Sequence, residues 1–338
     1  MSAPAPSMYS TAAAAMAERL GLRRGRPNLE VFADTLLELA RADRNVLAVT
    51  SDSRGSGKLT PFGQALPEQI VEVGIAEQNL VGVAAGLAAA GKKVFAVSPA
   101  CFLTARSLEQ IKNDVAYSDN PVTLVGISAG VSYGALGSTH HSLHDLAALR
   151  AINNLDIVVP ADNLETRWAV QAAANAGHPV YLRFGKAPLY SLHEANRRYV
   201  PGEAIPLREG RDLAFIATGE TVIHALLAAE ELAEHANVSC TVISVPSIRP
   251  LDIDAIVRAS GCGAVITVEE HLVHGGLGEA CAHALLEAGR AVRFKIVGIP
   301  DEYTVTGSQA DIFRHYGISM EGLATTALEL LARPVARR

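Results

Sequence analysis

Tryptophan occurs once in 338 residues and aromatic residues make up only 5% of the chain, so its cores must rest on aliphatic side chains. The apolar fraction of 49% is ample for one to three domains that fold without covalent staples. Cysteine is scarce too. Cys101, Cys240, Cys262 and Cys281 form no CxxC pair and no Cys/His cluster of zinc spacing, which argues against a disulfide framework and for a reducing, cytoplasmic compartment. Positive charge is not in excess: net charge is −6, and basic residues are scattered after Arg23, Arg24 and Arg26, so no stripe for nucleic acid is present. No apolar run reaches the roughly 18 to 20 residues that crossing a bilayer needs. The first 27 residues lack the apolar core of a secretory leader, so a membrane partner is not expected.

From Leu29 onward, apolar runs of strand length, rich in Val, Ile and Leu, at 46–50, 93–97, 122–127, 157–159 and 180–182 alternate with helical patterns near 29–41, 76–90, 104–117, 142–151 and 163–176. Strands apolar on both faces and separated by helices predict an α/β fold, a parallel sheet covered on both sides. The stretch 191–210 is rich in breakers and reads as a linker. A second, smaller α/β unit follows over 211–338, with strands expected at 213–217, 238–245, 264–268 and 292–297 and helices near 221–235, 252–260, 277–288 and 320–332. Residues 1–27, Ala/Ser/Pro-rich and then Arg-rich, read as a mobile extension before a first domain at 28–190.

Three segments carry chemistry. In the first, Val71 to Leu80, a short strand turns at Gly74 into a helix of small residues, with Glu77 in the first helical turn. A carboxylate there is favoured by the helix dipole, so periodicity alone gives an ordinary helix-start glutamate. In the second, Phe102, Arg106 and Glu109-Gln110 follow a strand and open a helix; alone, Phe102 reads as core. In the third, Gly134 to His141, two adjacent histidines diverge and lack a third ligand at useful spacing, which argues against a metal. Asp52 and Ser56 lie just past a strand end, the usual lip of an open α/β site.

The string GIAEQN after a strand resembles the thiamine-diphosphate enzymes of the transketolase class. The resemblance covers about 29 to 330 and implies a pyrimidine-binding domain followed by a transketolase C-terminal domain. It implies that Glu77 is catalytic, holding a proton against the aminopyrimidine ring nitrogen, and that Phe102 stacks on that ring. Asp52 and Arg106 fall near the cofactor by the same resemblance, with Arg106 leaning toward a structural contact. His140 matches the family histidine that touches sugar hydroxyls. Ser56 and Lys186 occupy two positions of the family's phosphate grip, and Arg183 lies three residues before Lys186, open to an anionic group or to a structural ion pair.

Departures matter as much. Ala135 and Leu136 replace an acidic pair, His141 replaces a glutamine, and Leu29 and Ser128 replace an arginine and a histidine. These departures put an ordinary aldose acceptor in doubt and leave the ketose donor open, an unusual one (branched, sulfonated or unphosphorylated) or xylulose phosphate. The second unit's Val268-Glu269-Glu270-His271 and Gly275-Gly276-Leu277-Gly278 resemble the class's C-terminal domain. No Gly-Asp-Gly stretch for Mg²⁺ and the diphosphate occurs. The resemblance thus implies a partner subunit of the N-terminal transketolase type that carries that site, in an α₂β₂ heterotetramer with thiamine diphosphate and Mg²⁺ at the shared interface. A deoxyxylulose-phosphate synthase-like protein, a 2-oxoacid dehydrogenase β-chain and a non-catalytic pairing subunit are the alternatives.

Overall fold

The computed structural model describes residues 8–194 and 199–332. Its strands are β1 (Arg24–Pro27), β2 (Val46–Thr50), β3 (Ile70–Glu72), β4 (Lys93–Pro99), β5 (Val122–Ile127), β6 (Asp156–Val158), β7 (Val180–Arg183), β8 (Pro188–Tyr190), β9 (Ile205–Arg208), β10 (Leu213–Ala217), β11 (Cys240–Ser244), β12 (Ser247–Arg249), β13 (Ala264–Leu272) and β14 (Arg293–Ile299). A seven-stranded sheet runs β12-β6-β7-β5-β4-β2-β3 and a five-stranded sheet runs β14-β13-β10-β11-β9. Every residue of β2, β5, β7 and β10 is buried, because helices cover both faces of each sheet. The α/β reading therefore holds, with antiparallel edges added: β12 beside β6 in the first sheet and β9 beside β11 in the second.

Register explains where a site can form. Thr50 pairs with both Glu72 and Val97, Pro99 with Ile127, and Gly126 with Arg183. The carboxyl ends of β2, β3, β4, β5 and β7 thus share one edge of the first sheet, and the segments they launch carry the residues singled out above. Among the described residues, no helix is long and apolar enough to cross a membrane.

Four expectations need correction. The extension, of which residues 1–7 lie outside the described residues, is built in from Met8 onward. Ser10 caps the helix Thr11–Arg19 by accepting the Ala13 N–H at 3.0 Å. Tyr9, Met16 and Ala17 are buried in the core of the second domain, and β1 pairs with β8. The linker contains β9, and its residues 195–198 lie outside the described residues. The second unit, whose residues 333–338 lie outside the described residues, gives β12 to the first sheet, where Ser247 pairs with Val158. The single helix expected over 104–117 is instead Ala100–Arg106, a break at Ser107, Leu108–Gln110 and a π-helical Ile111–Tyr117. The Ser107 hydroxyl donates back to the Leu103 carbonyl, a bond that competes with the helix ladder where it bends.

Candidate active site

The chain leaves β3 through Gly74, whose φ of +72° is a conformation that glycine adopts without strain, and enters the helix Glu77–Ala89. Glu77, its first residue, is buried, with 4% of its surface exposed. Helix Ala100–Arg106 leaves β4, which β2 separates from β3, and Phe102 and Arg106, four residues apart, share one face of it. The Arg106 guanidinium reaches Glu77: its Nη1 lies 3.0 Å from Oε1 and 2.9 Å from Oε2. The same group lies 4.3 Å from the centroid of the Phe102 ring.

The segment after β5 brings the next residues. Ser128 is buried at φ +54°, and the turns that follow place Tyr133 and His140 together, their ring centroids 5.4 Å apart. The His140 ring also meets Phe102 edge-on at 5.5 Å, and its Nδ1 lies 3.0 Å from the Thr139 hydroxyl. Beyond β7, the Lys186 ammonium stands 3.7 Å from the centroid of the Tyr133 ring. Burial lowers the Lys186 pKa, and the nearby charge of Lys58 lowers it further. Glu77, Arg106, Phe102, His140, Tyr133 and Lys186 thus form one continuous wall, a carboxylate at one end and an ammonium at the other.

Asp52 and Ser56 lie on the turn after β2. Asp52 is exposed at φ +53°, and its N–H donates to Glu72 Oε1 at 2.6 Å. The Ser56 hydroxyl donates to the Ser53 carbonyl at 3.1 Å. The turn rests over β4 and β5, since a Cβ at Gly57 would lie 3.3 Å from Val97 and 3.6 Å from Ile127. It shares the edge of the site, and Lys58 at its end is near enough for its charge to act on Lys186.

Of the two readings of Arg183, the structure displays the ion pair. It is 5% exposed, its Nε donates to Asp145 at 2.7 Å, and Nη2 donates to the carbonyls of Ser142 at 3.0 Å and Glu270 at 2.9 Å. A guanidinium with these partners ties the two domains together, and pulling it toward a sugar would strand the buried Asp145. Sequence reasoning missed Tyr133, although it sits beside the glycine that opens the His140 segment, and Lys58, which flanks Ser56 in the turn.

The wall suits a flat, hydrogen-bonding heterocycle. The guanidinium of Arg106 is planar and cationic, and it satisfies the buried carboxylate of Glu77 while covering the face of Phe102. An aminopyrimidine makes the same two demands, one on a carboxylate and one on an aromatic face. Among the described residues, no three His, Cys, Asp or Glu side chains gather into a metal site.

Comparison with known proteins places the chain in a family. The family description "Transketolase, pyrimidine binding domain" matches residues 27–190, and "Transketolase, C-terminal domain" matches residues 202–323. The chain is 49% identical over 304 residues to an apulose-4-phosphate transketolase subunit of Phocaeicola vulgatus, covering 89% of this chain and 96% of that protein. It is 34% identical to a 6-deoxy-6-sulfo-D-fructose transketolase subunit of Clostridium sp., covering 90% and 94%. It is 36% identical to 1-deoxy-D-xylulose-5-phosphate synthase 1 of Geobacter sulfurreducens, but spans only 48% of that protein. Among solved structures, a split gene transketolase described as an inactive β4 tetramer superposes with a TM-score of 0.81 at 33% identity, covering 91% of this chain and 98% of the other.

Proposed function

The chain belongs to the transketolase family, and from that premise we propose that it is the pyrimidine-binding half of a two-chain transketolase acting on a ketose with an anionic end. The observation that carries this is the wall itself, a buried carboxylate and aromatic face at one end and a half-buried ammonium at the other. The reaction moves a two-carbon ketol unit from a ketose donor to an acceptor. Thiamine diphosphate, when bound, supplies the carbon nucleophile.

This chain's residues divide the remaining work. Glu77 holds a proton against the pyrimidine ring, in a position dry enough for the bond to be strong. Phe102 gives the ring a face to lie on. Arg106 must withdraw from both, and its half-exposed side chain can do so. His140, its Nδ1 turned to Thr139, presents Nε2 to the oxygens of the sugar. Lys186, assisted by Lys58, receives the anionic end. The relatives named for apulose 4-phosphate and for a sulfonated fructose support an anion there. Leu136, 56% exposed on the His140 segment, supports an acceptor that asks for no carboxylate contact at that place.

Because the sequence has no Gly-Asp-Gly, the reading assigns Mg²⁺ and the diphosphate to a partner chain in an α₂β₂ assembly. It places that assembly in the cytoplasm, which four unpaired cysteines favour. The test is to purify the chain with a partner bearing Gly-Asp-Gly and to follow consumption of ketose phosphates and sulfonates with thiamine diphosphate and Mg²⁺. Turnover that requires both chains, and that disappears in Glu77→Gln, is the expected result. Activity that survives Glu77→Gln, or a diphosphate site found in this chain alone, would sink the assignment. Turnover of pyruvate instead of ketoses would favour the synthase-like reading.

A further inference from the structure

The segment that presents His140 is gripped by the second domain. His141, the next residue, is 3% exposed, and both its ring nitrogens are engaged: Nε2 lies 3.0 Å from the Gly134 carbonyl and Nδ1 lies 2.7 Å from the Thr304 hydroxyl. A carbonyl can only accept, so Nε2 carries a proton, and in the neutral ring Nδ1 is then the lone-pair nitrogen. Burial, which lowers the His141 pKa, agrees with that form.

The directions of the remaining bonds follow. The Thr304 hydroxyl donates to Nδ1. Having used its proton, Thr304 Oγ1 accepts from the Ser138 hydroxyl at 3.0 Å, and Ser138 Oγ accepts the Thr304 N–H at 3.1 Å. Thr304, on the turn after β14, therefore clasps the residues on either side of the Thr139–His140 pair. The N–H groups of His140 and His141 both donate to the Gly137 carbonyl, at 2.9 and 3.1 Å, so the clasp and the turn are one unit.

A second brace lies at the start of the segment. Glu270 Oε1 accepts the Val131 N–H at 2.8 Å and the Gln309 Nε2 at 2.8 Å. The fit is close enough that a Cβ at Gly130 would fall 2.1 Å from the Glu270 carboxyl carbon, and one at Gly134 would fall 2.8 Å from the Gly307 carbonyl.

We propose that Thr304, acting through His141 and Ser138, is a positioning residue for His140, so that the second domain sets the aim of the sugar-binding imidazole in the first. The proposal rests on the reading that His140 holds the sugar. It gives the second domain a part in substrate recognition although it contributes no group to the wall.

The test uses the full chain assembled with its partner and compares Thr304→Val, Thr304→Ser and His140→Ala. Thr304→Val keeps the shape and removes the hydroxyl; it should raise the donor KM about tenfold, the cost of about one misplaced buried hydrogen bond, with cofactor affinity and Tm near wild type. Thr304→Ser should restore the wild-type KM. Hydrogen exchange at the amides of His140 and His141, measured on the chain without cofactor, should quicken in Thr304→Val and return to normal in Thr304→Ser. Wild-type KM and exchange in Thr304→Val would overturn the proposal, as would a parallel loss of KM, cofactor affinity and Tm, which marks a merely structural bond. If His140→Ala leaves KM untouched, the sugar-binding reading falls. If His140→Ala raises KM and Thr304→Val does not, only the positioning role falls.

Discussion

The two ends of the active-site wall are built in opposite ways. At the cofactor end, Glu77, Phe102 and Arg106 stand on helices launched directly from β3 and β4, and their relative places follow from strand register and an i, i+4 spacing. At the sugar end, Tyr133 and His140 stand on a glycine-bent segment whose shape is imposed by Glu270, Thr304 and Gly307 of the other domain. One end is fixed by local rules and the other by a neighbour. On the proposed function, the chemistry shared by the family falls to the first end and the part that varies with the sugar to the second.

The strongest attack on the cofactor end is Glu77→Gln, which keeps size and burial but removes the acid. It should lower kcat about 10²- to 10⁴-fold in the assembled enzyme, the usual worth of a placed acid or base. A loss confined to KM would mean that Glu77 only binds. At the sugar end, Lys186→Met should raise the donor KM about 10- to 100-fold for a phosphorylated or sulfonated ketose, as expected for loss of one charge-assisted contact, and should change little for an uncharged one. Equal effects on both donors would move the anion site elsewhere.

Smaller effects test how independent the two ends are. Arg106 stands on the contacts that the aminopyrimidine needs, so Arg106→Ala should tighten thiamine diphosphate binding about two- to fivefold in titrations of the assembled protein. Weaker binding would show that Arg106 touches the bound cofactor.

The domain junction supplies the last test. Glu220, 5% exposed, has its pKa raised to about 8 by burial and by the charge of Glu270, with Gln309 and Arg183 opposing. Its carboxyl binds a proton more tightly folded than unfolded, so the stability it contributes is complete below pH 4.5 and is lost as pH rises toward about 8. Glu220→Gln should therefore leave Tm unchanged near pH 4.5 and raise stability at pH 8 to 9 by about 1 kcal/mol or more. A pH-independent difference would show that Glu220 does not titrate in that range.

The same contrast governs what could be read from the residues alone. The first sheet was legible because β2, β5 and β7 are short and mostly apolar on both faces, and Glu77 and Phe102 were singled out because their flanking words are distinctive. His140 was singled out only through a motif, and the surroundings of its segment were not legible, since the clasp of His141 on a residue 163 positions away leaves no local pattern. Arg183 stayed ambiguous for a related reason: beside Lys186 it looks like a second anion contact, and only the fold shows that a strand end places it in the domain junction. The helix break at Ser107, whose hydroxyl turns back to the Leu103 carbonyl, leaves no trace in the local apolar pattern. The Ala-rich start gives its helical tendency openly and its docking site not at all, because Tyr9 stacks on His224 and packs against Tyr190, both far along the chain.

That last packing has a consequence for how the protein is made. Met16 and Ala17 belong to the core that also holds Leu323 and Ala327 of the helix Met320–Ala332, and Ser10 donates a hydrogen bond to Glu321, 311 positions away. On the ribosome the helix Thr11–Arg19 therefore emerges long before the surface that will cover it. Assembly of the second domain is a closing of the chain upon itself, and it can finish only after Met320–Ala332 has been synthesised.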